Sequence, residues 1–467
     1  MMTDKSKHTD EIFFDPIASK AERYEKGMSI RKKTPLASHQ EWNSFKNRKD
    51  PVAILIQTSV GRVESLLPIR YRRMMESPFS FYRGAAAIMA ADLAHTPVSG
   101  INLQLCGDCH LMNFGGFATP ERKLVFDIND FDETFPGPWE WDVKRLAASF
   151  VIAGQWRKFS NKNCKQFAWH VADSYKRHML DYSKLSALQI WYADIDFAEL
   201  IELGHDKELK EFDQKRIKKA SEYTAHEKEF AKMTYFDGAR ARIKDDPPLI
   251  FHPSGELEKQ IAKEGEIIHK RYVESLSEDK QVLLSRYMIH DVVIKVVGVG
   301  SVGTLCGISL LMSATGEPIF LQFKEARKSV LEENVKIKGK YTHQGERIIM
   351  GQKLMQSASD LFLGWTNDSN NKFFYIRQLR DAKIKPILEV MKPKNMADYA
   401  KACGWALARA HARSGDPSII SGYIGDTDEF ADAISQFSIL YGDQNESDYN
   451  KMLEAIKHGK LPVAAEI

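Results

Sequence analysis

Two residues five apart carry the strongest chemical signal in this chain: Asp108 and Asn113, in Gly107-Asp108-Cys109-His110-Leu111-Met112-Asn113. An aspartate in such a loop can accept the proton of an attacking hydroxyl. An asparagine five residues later can hold a magnesium ion that bridges phosphates. His110 is a fixed member of the same Gly-Asp-His-Asn pattern and is taken with Asp108 as catalytic. The run "FDINDFDE" follows, with Asp127, Asp130, Asp132 and Glu133 on and just after a short strand. Magnesium takes few protein carboxylates and leaves the rest to phosphate and water. Asp130 plus Asn113 is a sufficient pair, with Asp127 as the alternative.

A third group lies far away in sequence. Gly298-Val299-Gly300-Ser301-Val302-Gly303 sits between two apolar runs. Glycines let backbone N–H groups approach phosphate oxygens. A dinucleotide-binding loop would lead into a helix. Here "TLCGISLLM" reads as a strand, so the pattern suits a hairpin that covers a nucleotide. Lys324, on the next strand "IFLQFKEA", is placed to contact the α- and β-phosphates. Glu346, early in a helix expected over 345–360, is the candidate partner of Lys324.

Other patterns are read as decoys. Cys106-Gly107-Asp108-Cys109-His110 matches the haem-attachment spacing, but no export signal accompanies it. No second cysteine pair completes a zinc site. His411–Asp416, "HARSGD", resembles a second catalytic loop. Ser421 stands where the asparagine would be, so this segment is read as a helix end and loop. No G-x-x-x-x-G-K-[ST] motif is present. Arg70, Arg72, Arg73 and Arg83 are either a solvated helix face or a site for an anionic acceptor.

The positioning elements follow from pattern. The chain has 467 residues, 43% hydrophobic and 28% charged, with net charge +3, which fits a globular protein with a substantial core. That charge does not point to nucleic acid or a membrane surface. No apolar run reaches the roughly 18–20 residues of a membrane helix. The polar N-terminus and the sparse, odd set of five cysteines fit a cytoplasmic protein without disulfides. Residues 1–50 read as an irregular extension or docking arm and 51–240 as a helical unit carrying the catalytic and metal loops. Residues 204–285 are Lys- and Glu-rich with helical spacing, broken by a loop over 245–255, and 241–284 is a connection. Residues 285–390 are β-rich, and 391–467 return to helix. Phe81–Ala94 and Met396–Ala412 are expected helices.

The parts suit a kinase, but the catalytic loop precedes the glycine-rich hairpin. Circular permutation allows this when the original termini are close in space. The motifs Gly107–Asn113, Asp127–Glu133, Gly298–Gly303, Lys324 and "LMQSASDLFLGWT" resemble the uncharacterised bacterial domain-of-unknown-function 2252 family, over roughly residues 40–460. Gly107–Ala147 also resembles aminoglycoside phosphotransferases and choline kinases, with their G-D-x-H-x-x-N loop, I-D-[WF]-[ED] strand and D-L-A helix start. That likeness implies Asp108 as catalytic base, Asn113 and Asp130 as metal ligands, and Asp142 as a buttress of the loop. Cys106 stands where those enzymes have histidine.

The expected fold is thus α+β: a protein-kinase-like, circularly permuted two-lobed fold with a small antiparallel β-rich lobe and a larger helical lobe. The expected cofactors are ATP and Mg²⁺, and the acceptor is a small molecule or a protein. A nucleotide-binding regulatory module and AMP transfer are the alternatives. Oligomeric state is not legible.

Overall fold

The computed structural model describes residues 17–204, 210, 214–216, 230–238, 240–296, 298–379 and 383–465. The fold is a mixed α+β arrangement, mostly helical, around a six-stranded antiparallel sheet. The strand order is Gly364–Asn367, Phe373–Gln378, Pro318–Glu325, Cys306–Ser313, Tyr287–Lys295 and Ile250–Phe251. Alternation in the central strands explains the sheet's two apolar faces. Ile308, Leu310 and Phe320 pack on one side with Ala241 and Ile243. Leu311, Ile319 and Leu321 pack on the other with Tyr272 and Leu276. The register sets Lys324 between Cys306 and Tyr375 on its neighbours, so these three side chains share a face.

The helical part is built round Glu140–Trp156, which is buried from Glu140 through Gly154. A helix buried on all sides belongs to a core. It packs on Asn161–Lys184 and Glu429–Lys457. Pro393–Ser414 lies along Asn161–Lys184 so closely that a Cβ on Gly404 would meet the Val171 carbonyl oxygen at 2.4 Å. Two small antiparallel pairs carry the polar loops: Asn102–Leu105 with Phe135–Pro138, and Phe114–Ala118 with Leu124–Ile128. No described helix is long and apolar enough to cross a membrane.

Several expectations need revision. Within 17–50 the chain is not irregular: Lys20–Lys33 is a helix with a Ser19–Glu22 capping box. It docks on Pro417–Ile424, where a Cβ on Gly27 would lie 2.1 Å from the Ile419 oxygen. Phe81–Ala94 is divided between the helices Pro78–Gly84 and Ala86–Leu93, and Pro78 starts the first of them. The loop expected over 245–255 contributes the edge strand Ile250–Phe251, and 234–243 forms a hairpin rather than helix. Later in the Lys- and Glu-rich stretch Gly255–Glu274 and Glu278–Leu284 are helices, as expected, while 205–209, 211–213, 217–229 and 239 lie outside the described residues, as do residues 1–16.

Candidate functional site

The loop after Asn102–Leu105 turns through Gly107 at φ 87, and a Cβ there would meet the Glu133 oxygen at 2.2 Å. Only glycine fits both demands. Asp142, in the first turn of the central helix, receives the N–H groups of Cys106 (2.8 Å) and Gly107 (3.1 Å). His411 Nε2 lies 3.2 Å from Asp142 Oδ2, and Tyr175 Oη lies 2.9 Å from His411 Nδ1. His411 belongs to "HARSGD", which the sequence presents as no more than a helix end. Ser414 from the same turn donates to the Gln104 oxygen at 3.1 Å. The end of Pro393–Ser414 therefore braces the strand that feeds the loop.

Asp108 projects from this brace and receives Arg145 Nε at 2.7 Å. Arg145 follows Asp142 by three positions and so shares its helix face. That spacing was the available signal for a residue the sequence reading left out. His110 Nε2 is 3.8 Å from Asp108 Oδ2. Burial pushes the His110 imidazole down to about 3, against the pull of Asp108. It is a neutral neighbour of Asp108 near pH 7.

Asn113 donates its side-chain amide to the Asp108 carbonyl (2.7 Å), which leaves its own carbonyl oxygen to meet a cation. The Asn129 N–H meets the Asn113 backbone oxygen at 2.7 Å and brings the acidic turn alongside. Among the described residues, Asp130 accepts the Asp132 N–H alone, at 3.2 Å. Burial, then the Asp132 charge, raises its carboxyl pKa. Two hard oxygen donors beside each other, one of them an under-compensated carboxylate, suit a magnesium ion that keeps phosphate and water ligands. Asp127 is placed elsewhere. It is fully buried, bonded to Arg409 Nη2 (2.7 and 2.9 Å) and to the Ser357 N–H and hydroxyl (2.9 and 3.0 Å). It ties three segments together and has no free face for a metal.

The glycine-rich segment closes the other side. Gly298 and Gly303 have φ 70 and 90, in the left-handed region that favours glycine. Ser301 Oγ donates to Asp132 Oδ2 at 3.3 Å. Lys324 Nζ lies 2.7 Å from the same oxygen, and the Tyr375 hydroxyl binds Asp132 Oδ1. Burial by itself would raise the Asp132 carboxyl; Lys324 and Tyr375 outweigh it and hold it below the usual range. Three residues hold the segment: Arg73, on the helix Leu67–Met74, donates to the Gly298 oxygen (2.5 Å), and from the preceding loop Arg62 donates to the Val302 oxygen (2.6 Å) and the Val63 N–H to the Gly303 oxygen (2.7 Å).

Lys324 therefore pairs with Asp132, not with Glu346. The helix Gln344–Met355 turns Arg347 inward instead, onto the Asp132 oxygen (2.9 Å) and the Arg327 oxygen (2.8 Å). Adjacent helical residues point about 100° apart, so one position decides which side chain enters.

Gly298, Gly300 and Ser301 line one cavity of about 640 Å³ with Asp108, His110, Asn113, Asp130, Asp132 and Glu133. Of the expected residues, Asp142 supports the loop from below and Lys324 reaches Asp132 from the sheet. The cysteines are all reduced and buried. Cys106, Cys109 and Asp142 bring ligand atoms within 4.8 Å of one another, but both Asp142 oxygens already serve the loop.

A family model described as an uncharacterized protein conserved in bacteria, DUF2252, matches residues 62–455. Neither a curated protein nor a solved structure matches the chain.

Proposed function

We propose that this chain, which belongs to the DUF2252 family, is an ATP- and magnesium-dependent phosphotransferase with a circularly permuted, kinase-like site. Asp108 orients and deprotonates an acceptor hydroxyl. Asn113 and Asp130 hold magnesium. The backbone of Gly298–Gly303 covers the phosphates, and Lys324 moves from Asp132 to the α- and β-phosphates. One observation carries this reading. Two segments nearly two hundred residues apart, Asp108–Asp130 and Gly298–Ser301, line the same cavity. The contact between Ser414 and Gln104 supports the permuted order, because it joins a helix end to the strand that feeds the catalytic loop.

The test uses the purified full chain. ATP with magnesium is expected to raise its Tm, and ATP is expected to be consumed when acceptor is present. Asp130→Asn is expected to remove metal-dependent turnover and keep the native circular dichroism spectrum. Turnover near the wild-type rate in Asp130→Asn would reject the assignment. ATP labelled at the α or the γ position separates AMP transfer from phosphoryl transfer.

A second reading, a nucleotide-binding regulatory module without turnover, draws on the Lys324–Asp132 pair and the outward Glu346. Kinase turnover normally needs the lysine held by a helix glutamate. Magnesium-dependent ATP binding without consumption across acceptor classes favours this second reading.

A further inference from the structure

Four guanidinium groups line the cleft that holds Asp108: Arg62, Arg70, Arg83 and Arg327. None of them forms an ion pair among the described residues. Arg62 donates to the Thr58 and Val302 oxygens (3.0 and 2.6 Å), and Arg327 to the Thr58 and Val60 oxygens (3.1 and 2.5 Å). Arg70 donates to Ser59 Oγ (3.3 Å) and the Gly84 oxygen (3.2 Å) and lies over the Tyr71 ring, and its buried Nε has no partner among the described residues. Arg83 makes no hydrogen bond or ion pair among the described residues, and its Nε is buried and unpartnered. The carboxylates whose field reaches Arg62 are Glu133 and Glu325. Both are engaged by backbone, at the Val330 N–H (2.7 Å) and the Leu305 N–H (3.0 Å). Burial, then Arg70 and Arg327, pushes Arg62 down to about 9. Cations withdrawn from water without counter-charge are costly, and an incoming anion relieves that cost.

In the proposed function the nucleotide's donors would be the glycine-rich backbone, Lys324 and a metal at Asn113 and Asp130. Arg83 is not among these donors and lies in the field of Asp108, Glu76 and Asp130. Arg62 donates to the glycine-rich segment at the Val302 oxygen.

We propose that Arg83, with Arg62, Arg70 and Arg327 lining the same cavity, binds an oxyanion group of the acceptor, phosphate or carboxylate, so that the substrate is an anionic hydroxyl compound. The acceptor role rests on the phosphotransferase reading; the anion site stands on the arginines alone. Guanidinium forks match both oxyanions.

The test is calorimetric titration of the full chain with inorganic phosphate. It is run alone, and again with saturating magnesium and a non-hydrolysable ATP analogue carrying a γ-phosphate. Phosphate is expected to bind in both conditions. Arg83→Gln is expected to weaken phosphate binding about tenfold or more and to leave analogue affinity within about twofold; Arg83→Lys is expected to recover part of the loss. Failure of phosphate to bind, or equal binding by Arg83→Gln, overturns the site. Displacement of phosphate by the analogue, or weaker analogue binding in Arg83→Gln, overturns the acceptor role and makes the cluster a nucleotide-phosphate subsite. Arg83-dependent phosphate binding with no analogue binding at all overturns the phosphotransferase reading and leaves the anion site in place.

Discussion

Lys324 Nζ lies 2.7 Å from Asp132 Oδ2, joining the six-stranded sheet to the turn that carries Asp130. The ammonium is buried, and burial opposes its charge. Asp132 and Tyr375 outweigh burial and raise its pKa well above the ordinary lysine range. If the proposed function holds, a nucleotide's phosphates would compete with Asp132 for this ammonium.

Asp132→Asn removes that competitor and leaves Lys324 without its counter-charge. The expected result is a loss of roughly 1–3 kcal/mol of stability, read from the urea midpoint. Affinity for ATP with magnesium is expected to rise, read by titration. The stability that Asp132 contributes is present above its unfolded pKa, because its folded pKa is depressed. It is lost as pH falls through that depressed value. Unchanged stability together with unchanged nucleotide affinity would show that the pair is inert.

Glu133 gives the opposite sign. Burial raises its carboxyl from 4.5 to about 7, and the Val330 N–H pulls the other way. A raised folded pKa means that its contribution is complete below the unfolded value and is lost as pH rises through about 7. Wild-type stability is expected to fall between about pH 4.5 and 7.5 by roughly 3 kcal/mol relative to Glu133→Gln. Urea midpoints across that range for both proteins check it; parallel curves would remove Glu133 as the source.

Arg347 and Glu346 separate two geometries of one helix. Arg347 donates to the backbone oxygens of Asp132, Thr134 and Arg327. Arg347→Met leaves those oxygens without a charged donor and is expected to cost about 2–4 kcal/mol. Glu346→Gln is expected to change stability by less than about 0.5 kcal/mol and to leave turnover intact. A folded Glu346→Gln variant without turnover would mean that Glu346 swings onto Lys324 once nucleotide binds.

The sequence by itself determined the local chemistry. Asp108 and Asn113 share one loop, and Asp130 stands at the end of the strand pair that follows, so short-range geometry fixes their neighbourhood. Alternation of apolar residues likewise marked the strands that carry Lys324 and Tyr375. Partner choice was left to the tertiary structure. Asp127 and Asp130 are three residues apart, yet one is sealed against Arg409 and the other faces the cleft. The helix end at His411, which resembles a catalytic loop in sequence, becomes instead the brace of the loop because Asp142 lies beside it. Lys324 meets Asp132 rather than Glu346 because a rotation of about 100° per helical residue turned Arg347 inward. The four arginines, scattered over residues 62–327, line one cavity without an ion pair among the described residues only in the folded chain. Such choices depend on contacts between distant segments, and those are set by which buried faces pack together, not by neighbours in sequence.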